Sequence, residues 1–195
     1  MPNEKMRILY LDIAKGLGIL FVVWAHAKGP YSSYMYQFHM PLFFLISGYL
    51  YHSDKPFRRF LKDKVKALYI PFILWNGLAV IIKTVLAPGK LINNIKVGLQ
   101  VLLLLNKDGQ FFGATWFLGA LFMVSVLYKV LDVYIQECKY KHLFLWSCFT
   151  ALAIIGFEMD LPFMLSRTLI LGLFYAAGHF VKIHKDDLTV NTGPS

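Results

Sequence analysis

Residues 9–26 read Leu-Tyr-Leu-Asp-Ile-Ala-Lys-Gly-Leu-Gly-Ile-Leu-Phe-Val-Val-Trp-Ala-His, a stretch that is long and apolar enough to cross a lipid bilayer. It nevertheless contains Asp12, Lys15 and His26. A charged side chain at the bilayer centre costs about 2.5–3.5 kcal/mol on insertion scales, so such residues are usually paired or functional. The stretch is therefore predicted to be a membrane helix that carries a candidate site.

The spacing of the three polar residues places them on one side of this helix. Lys15 and His26 are eleven residues apart, which is almost three full turns and about 16 Å along the axis. Asp12 precedes Lys15 by one turn on the same stripe. Two simpler interpretations stay open: Asp12 and Lys15 form a structural ion pair at i, i+3, and His26 is an interfacial histidine beside Trp24.

The composition indicates an integral membrane protein. Of 195 residues, 57% are hydrophobic and only 16% are charged, whereas soluble domains carry about 25% charged residues. The net charge of +9 does not indicate nucleic-acid binding, because the basic residues cluster between apolar spans, as cytoplasmic loops require, and no basic run is expected to be interleaved with exposed aromatic residues as in a nucleic-acid groove. The six histidines form no HxxxH pattern and the two cysteines no CxxC pattern, so no metal site is predicted.

The predicted fold class is all-α, a polytopic membrane protein with about six transmembrane helices. The predicted spans are 8–27, 37–51, 67–86, 115–133, 143–157 and 163–181. Pro41 falls in the first turn of the second span, where a missing N–H is tolerated. Segment 92–105 is too short to span and is predicted to be interfacial or re-entrant. Residues 1–182 form the membrane domain, and residues 183–195 form a polar tail that is expected to lack regular structure.

The distribution of basic residues predicts the orientation. Segment 52–68 holds six basic residues against two aspartates, which is typical of a cytoplasmic loop. With six spans and a cytoplasmic N-terminus, thirteen lysines and arginines fall on cytoplasmic segments and four lysines on outer ones. The expected location is the cell membrane, taken to be the cytoplasmic membrane of a bacterium.

Several motifs resemble the acyltransferase-3 family, and the fucose 4-O-acetylase-like branch most closely. Residues 11–26, Leu-Asp-Ile-Ala-Lys-Gly-Leu-Gly-Ile-Leu-Phe-Val-Val-Trp-Ala-His, resemble its first-helix signature. Residues 38–44, Phe-His-Met-Pro-Leu-Phe-Phe, followed by Ser47-Gly48-Tyr49, resemble its second helix. The resemblance implies an enzyme that transfers an acyl group, usually acetyl from acetyl-CoA, to a cell-surface carbohydrate.

The resemblance also implies roles for particular residues. The candidate catalytic residues are His26, as a base near neutral pH, together with Lys15 and Asp12 on the same stripe. Lys15 would lie near the donor phosphates or polarise the thioester region. The candidate donor-binding residues are Lys15, Lys64, Lys66 and Arg59, and the candidate acceptor-binding residues are His39, Ser47 and Arg167. The alternatives are that His39 caps span two, that Ser47-Gly48 packs helices, that Lys64 and Lys66 only set topology, and that Arg167 pairs with Glu158 or Asp160.

The chain departs from the family pattern at three points. Lys15 stands where the family commonly has arginine, which keeps the charge and loses bidentate geometry. Ala67 stands where an arginine often precedes the proline of the third helix. Family members usually have roughly ten spans, so we expect this chain to be shortened at its C-terminus. One alternative is that the chain is a non-catalytic remnant or assembly partner of such an enzyme. A homo-oligomer or a partner subunit is a further expectation. Another alternative is a transporter fragment, since intramembrane Asp, Lys and His also mark ion paths.

Overall fold

The first helix is a continuous rod that is attached to the molecule along one side. The computed structural model describes residues 9–103, 115–136, 138, 140–159, 161 and 164–191. Helix α1 covers Leu9–His26, as predicted. It buries Leu11, Gly18 and Ala25, which lie at intervals of seven residues on one face. Among the described elements it packs against α2 and against no other.

The second helix, α2, covers Ser32–Tyr49 and begins five residues before the predicted span. The turn from α1 is short because Lys28 and Tyr31 adopt positive φ angles of 54° and 61°, which reverse the chain quickly. The prediction that Pro41 lies in the first turn is therefore wrong, since Pro41 is inside the helix. In a membrane helix a proline is tolerated where neighbouring groups compensate for the missing backbone bond.

The third predicted span is the C-terminal part of a longer helix. Helix α3 covers Phe57–Lys64, a π-helical segment covers Val65–Tyr69, and α4 covers Ile70–Leu86. Together they form one helical stretch of 30 residues. The basic segment expected to be a loop is thus largely helical. A short 3₁₀ turn, Pro88–Lys90, leads to α5, Leu91–Leu102, which packs back against α4.

The remaining helices form the centre of the bundle. Helix α6 covers Trp116–Tyr134, α7 covers Lys141–Glu158 and α8 covers Leu165–Asn191. The expectation that the tail from residue 183 lacks regular structure is wrong up to Asn191, because α8 continues without a break. Residues 1–8 and 104–114, and the last four residues of the predicted tail, lie outside the described residues.

The helices have a simple order of neighbours. The most extensive contacts run from α1 to α2, from α2 to α8 and from α8 to α7, and α6 packs across α8 and the π-helical segment. The core lies between α2, α6, α7 and α8, and includes Phe44, Val124, Tyr128, Phe149 and Tyr175. Within the described part of the chain, three helical stretches are long and apolar enough to cross a membrane: Leu9–His26, Phe57–Leu86 and Trp116–Tyr134.

Candidate functional site

The polar stripe on α1 forms as the sequence predicts. Asp12, Lys15 and His26 all lie on one unbroken helix, with His26 as its last residue. The Lys15 ammonium is 3.4 Å from the Asp12 carboxylate, and about 40% of each side chain is exposed (39% and 42%). Ring nitrogen Nδ1 of His26 lies 2.8 Å from the Val22 carbonyl. The predicted ion pair is therefore present, and both of its side chains remain partly exposed.

The contacts of α1 with α2 fix how this stripe is presented. The hydroxyls of Tyr10 and Tyr49 are 2.8 Å apart near one end of the pair. Gly18 lies against the ring of Phe43 in the middle, and Phe21 meets Phe38 edge to face. The Asp12–Lys15–His26 line borders this seam, since the buried positions of α1 are the neighbours of these residues around the helix. A ligand could therefore approach the stripe along the outside of the α1–α2 seam.

The candidate acceptor residues lie on α2 and α8. His39 is fully buried and its Nδ1 bonds to the Met35 carbonyl one turn earlier. The alternative that His39 caps the helix is wrong, because α2 begins seven residues before it. Contact between His39 and an acceptor stays a prediction, and it requires this part of the bundle to open.

Ser47 and Arg167, the other two candidate acceptor residues, lie next to protein groups on neighbouring helices. Ser47 is half-buried beside Gly48, whose Cα approaches α8 so closely that an added Cβ would lie 1.9 Å from the Tyr175 carbonyl oxygen. The helix-packing alternative for Ser47-Gly48 is thus confirmed. Arg167 is exposed and its guanidinium carbon is 5.4 Å from the centre of the Trp116 ring, a cation–π contact. Of its two predicted partners, Glu158 forms no ion pair with it in the described part of the chain, and Asp160 lies outside the described residues.

The candidate donor residues lie on α3 and the π-helical segment. Arg59 and Lys66 are exposed, whereas Lys64 is half-buried with its ammonium 5.5 Å from the centre of the Phe60 ring. No contact joins α1 to α3 among the described elements. The structure therefore does not bring the donor residues of α3 into contact with the stripe on α1, and a bound molecule would have to bridge them.

A buried polar cluster that the sequence reasoning missed joins the ends of four helices. Asp132, at the end of α6, is 1% exposed. Its carboxylate accepts a hydrogen bond of 2.6 Å from the Tyr51 hydroxyl and lies 2.8 Å from the Lys141 ammonium and 3.6 Å from that of Lys129. We call this the Asp132 cluster; its members are Tyr51, Tyr128, Lys129, Asp132, Lys141, His179 and Lys182.

The rest of the Asp132 cluster is equally well connected. The Tyr128 hydroxyl lies 2.7 Å from Nδ1 of His179, and both side chains are buried. Lys129 donates to the Ser53 carbonyl at 2.7 Å, and Lys182 donates to the Tyr51 carbonyl at 2.9 Å. One signal was available in the sequence, since Lys129 and Asp132 are charged residues three positions apart at the end of an apolar run. The contribution of Tyr51 comes from a distant element and had no local signal.

Metal chemistry has no visible site in the described ranges. There, no group of three or more His, Cys, Asp and Glu side chains is arranged to hold a metal ion. The groups that the described candidate residues supply are a histidine at the end of α1, an ion pair on the flank of that helix, and exposed basic side chains on α3 and the π-helical segment. These groups suit proton transfer and the binding of an anionic donor.

Comparison with known proteins adds an independent observation. A family model described as an acyltransferase domain matches residues 8–192. Two curated relatives are the nodulation protein NolL of Mesorhizobium japonicum, 30% identical over 145 residues, and that of Sinorhizobium fredii, 31% identical over 140 residues. These matches cover 66% and 64% of this chain, but only 37% and 36% of the relatives. The chain thus spans little more than a third of the length of the curated relatives it matches. No solved structure matches it.

Proposed function

Since the chain belongs to the acyltransferase-3 family, we propose that it is an integral membrane O-acyltransferase, with acyl-CoA as donor and a carbohydrate hydroxyl outside the cytoplasm as acceptor. Acetyl-CoA is the proposed donor. The observation that carries the proposal is the unbroken helix α1, which holds Lys15 and His26 on one face, in a chain whose family match covers residues 8–192.

The proposed topology has six spans and a cytoplasmic N-terminus. Helices α2, α7 and α8 would cross the membrane in addition to the three helical stretches that qualify by length and composition. Support comes from the Asp132 cluster, where the end of α2, the end of α6 and the start of α7 meet α8. These are the ends that the charge distribution places in the cytoplasm. His26 then lies toward the outer surface and Lys15 toward the cytoplasm.

The proposed reaction uses His26 as a general base. Its imidazole takes the proton of the acceptor hydroxyl while the oxygen attacks the thioester carbonyl. A carbon–oxygen ester bond forms, the carbon–sulfur bond breaks, and the coenzyme A thiolate leaves and takes up a proton. The ammonium of Lys15 lies on the same face and would stabilise negative charge on the donor. Asp12 would hold that ammonium in place through the ion pair.

Labelled acetyl-CoA tests the proposal in membranes that contain the protein. We expect label to appear in carbohydrate with the native chain and to be lost with His26→Ala, because the base is then missing. The matched control is His184→Ala, which removes another exposed histidine and should leave transfer unchanged. The same amount of each protein in the membrane must be verified.

Two outcomes would contradict the proposal. Full transfer by the His26→Ala variant would remove His26 from the reaction. No transfer by the native chain, when it is inserted and intact and several carbohydrate acceptors are offered, would argue against catalysis by this chain.

A further inference from the structure

The link between α2 and α3, residues 50–56, is held by side chains from two other helices. The Tyr51 hydroxyl bonds to Asp132 of α6 at 2.6 Å. Lys129 of α6 donates to the Ser53 carbonyl, and Lys182 of α8 donates to the Tyr51 carbonyl. Links between helices are usually the most mobile parts of a fold. Here three polar contacts, two of them to backbone carbonyls, fix the path of the chain.

The fixed link leads directly into the basic helix α3. Phe60 is 5% exposed, and its ring centre is 5.7 Å from that of Tyr51 in an edge-to-face contact. The ammonium groups of Lys64 and Lys129 lie 5.5 Å and 5.9 Å from the centre of the same ring. Any shift of the link would therefore move Phe60 and, with it, the basic side chains of α3.

Lys129 and Lys182, which hold the 50–56 link, are themselves engaged within the protein. Lys129 is 1% exposed, donates to the Ser53 carbonyl and pairs with the Asp132 carboxylate. Lys182 is partly buried against the Tyr51 carbonyl. Arg59 and Lys66, by contrast, are exposed on α3 and its π-helical continuation. Lys129 and Lys182 therefore hold the backbone of the link, whereas Arg59 and Lys66 are accessible to an anionic ligand.

We propose that Lys129, Asp132 and Lys182 are positioning residues that hold the 50–56 link so that the basic side chains of α3 meet the phosphates of the acyl-CoA donor. The inference rests on the proposed function, and it adds residues that do not touch the donor. Arg59, Lys64 and Lys66 bind the phosphates, and the Asp132 cluster fixes the positions of these three side chains.

Comparison of two donors tests this role with the full chain purified in detergent. Acetyl-CoA carries the phosphates, whereas acetyl-pantetheine carries the same thioester without them. We expect Lys182→Met and Asp132→Asn to weaken acetyl-CoA binding about tenfold, which is the effect of losing one well-placed contact. Binding of acetyl-pantetheine should not change, because it makes no phosphate contacts. Lys182→Arg, which keeps a donor for the Tyr51 carbonyl, should restore binding.

Two controls match these variants in charge. Lys90→Met removes an exposed lysine from the 3₁₀ turn, and Asp54→Asn removes an exposed carboxylate from the link itself. Both should bind the two donors as the native chain does. The unfolding midpoint of each variant is measured alongside, and Tyr51→Phe, which deletes a single oxygen, replaces any variant that does not fold.

The outcomes separate this inference from the proposed function. Equal weakening for both donors, or no weakening for either, would overturn the positioning role while leaving acyl transfer in place. If the folded native chain binds neither donor, the proposed function fails and this inference fails with it. Selective loss of acetyl-CoA binding, rescued by Lys182→Arg, supports the inference.

Discussion

Asp132 shows how a single residue organises the interior of this bundle. Its carboxylate is almost fully buried, accepts a hydrogen bond from a tyrosine hydroxyl and lies 3.6 Å and 2.8 Å from two ammonium groups, one on its own helix and one on α7. Burying such charges is costly unless they are paired, and removal of the oppositely charged partner of a buried ion pair typically costs about 3–5 kcal/mol. The cluster therefore favours one arrangement of helix ends over others that would leave charges unpaired.

The Tyr51 hydroxyl offers a mild test of that arrangement. We expect Tyr51→Phe to lower the free energy of unfolding by about 1.5–3 kcal/mol, because the deleted group bonds to a buried carboxylate. Tyr10→Phe is the matched control, since its hydroxyl bonds to that of Tyr49 while the side chain is exposed. Its effect should stay within about 0.5 kcal/mol. Thermal unfolding in detergent measures both, and equal effects would contradict the importance of the buried contact.

Lys15 can be separated into a structural and a functional role. Its ion pair with Asp12 is half-exposed, and such pairs contribute only about 0–1 kcal/mol. Lys15→Gln should therefore leave the unfolding midpoint nearly unchanged while lowering transfer from acetyl-CoA at least about tenfold, since a charge near the donor is lost. Lys15→Arg should keep activity. A Lys15→Gln variant with native transfer would leave the lysine a structural role only.

Residues within one helix were predictable, and contacts between distant residues were not. The Asp12–Lys15 pair follows from spacing alone, because i, i+3 neighbours meet on any helix. The bond from Tyr51 to Asp132 spans 81 positions in sequence and depends on how α2 and α6 pack. The complete burial of His39 likewise had no local signal, because it depends on which helices surround α2.

At the scale of elements, two glycines let α2 and α8 pack backbone to backbone. A Cβ added at Gly48 would lie 1.9 Å from the Tyr175 carbonyl oxygen, and one at Gly178 would lie 2.0 Å from that of Leu45. Small residues at such points are typical of helix pairs in membranes, where close approach supplies the van der Waals contact. The two glycines face each other's helices, so the seam depends on both.

Alanine at either glycine should force the two helices apart. We expect Gly48→Ala and Gly178→Ala each to destabilise the fold by about 1–3 kcal/mol or more, as overpacking does when only backbone can yield. Gly77→Ala is the control, because nothing lies within 4 Å of its added Cβ and alanine favours a helix by about 1 kcal/mol over glycine. The unfolding midpoints in detergent compare them. Tolerance of both seam variants would contradict the close approach.

The elements themselves were largely predictable from apolar runs, whereas their ends were not. Helices α1, α6 and α7 follow the predicted spans closely because apolar length in the sequence sets their extent. The basic start of α3 and the polar end of α8 extend beyond the apolar runs. Hydropathy predicts which residues of a helix are apolar enough for lipid, but it does not predict how far the helix continues beyond its apolar run.

At the scale of the whole molecule, the native cysteines report on orientation. Cys138 is exposed between α6 and α7, on the side that the proposed topology assigns to the cytoplasm. In intact cells it should react with a membrane-permeant maleimide and resist an impermeant one. Tyr34→Cys, at the start of α2, should react with both. Reaction of Cys138 with the impermeant reagent would indicate the opposite orientation and contradict the proposed topology.

The order of neighbours has a consequence for biosynthesis. The most extensive partner of α2 is α8, yet about 115 residues separate Tyr49 from Leu165. At roughly 5–20 residues per second, a ribosome needs on the order of ten seconds to supply the missing partner. On the proposed topology, α1 and α2 stand in the membrane as a helical hairpin during that interval, before Gly48 meets its α8 partner. The α2–α8 seam therefore closes late, and defects in it would be seen in maturation of the protein after its first helices are inserted.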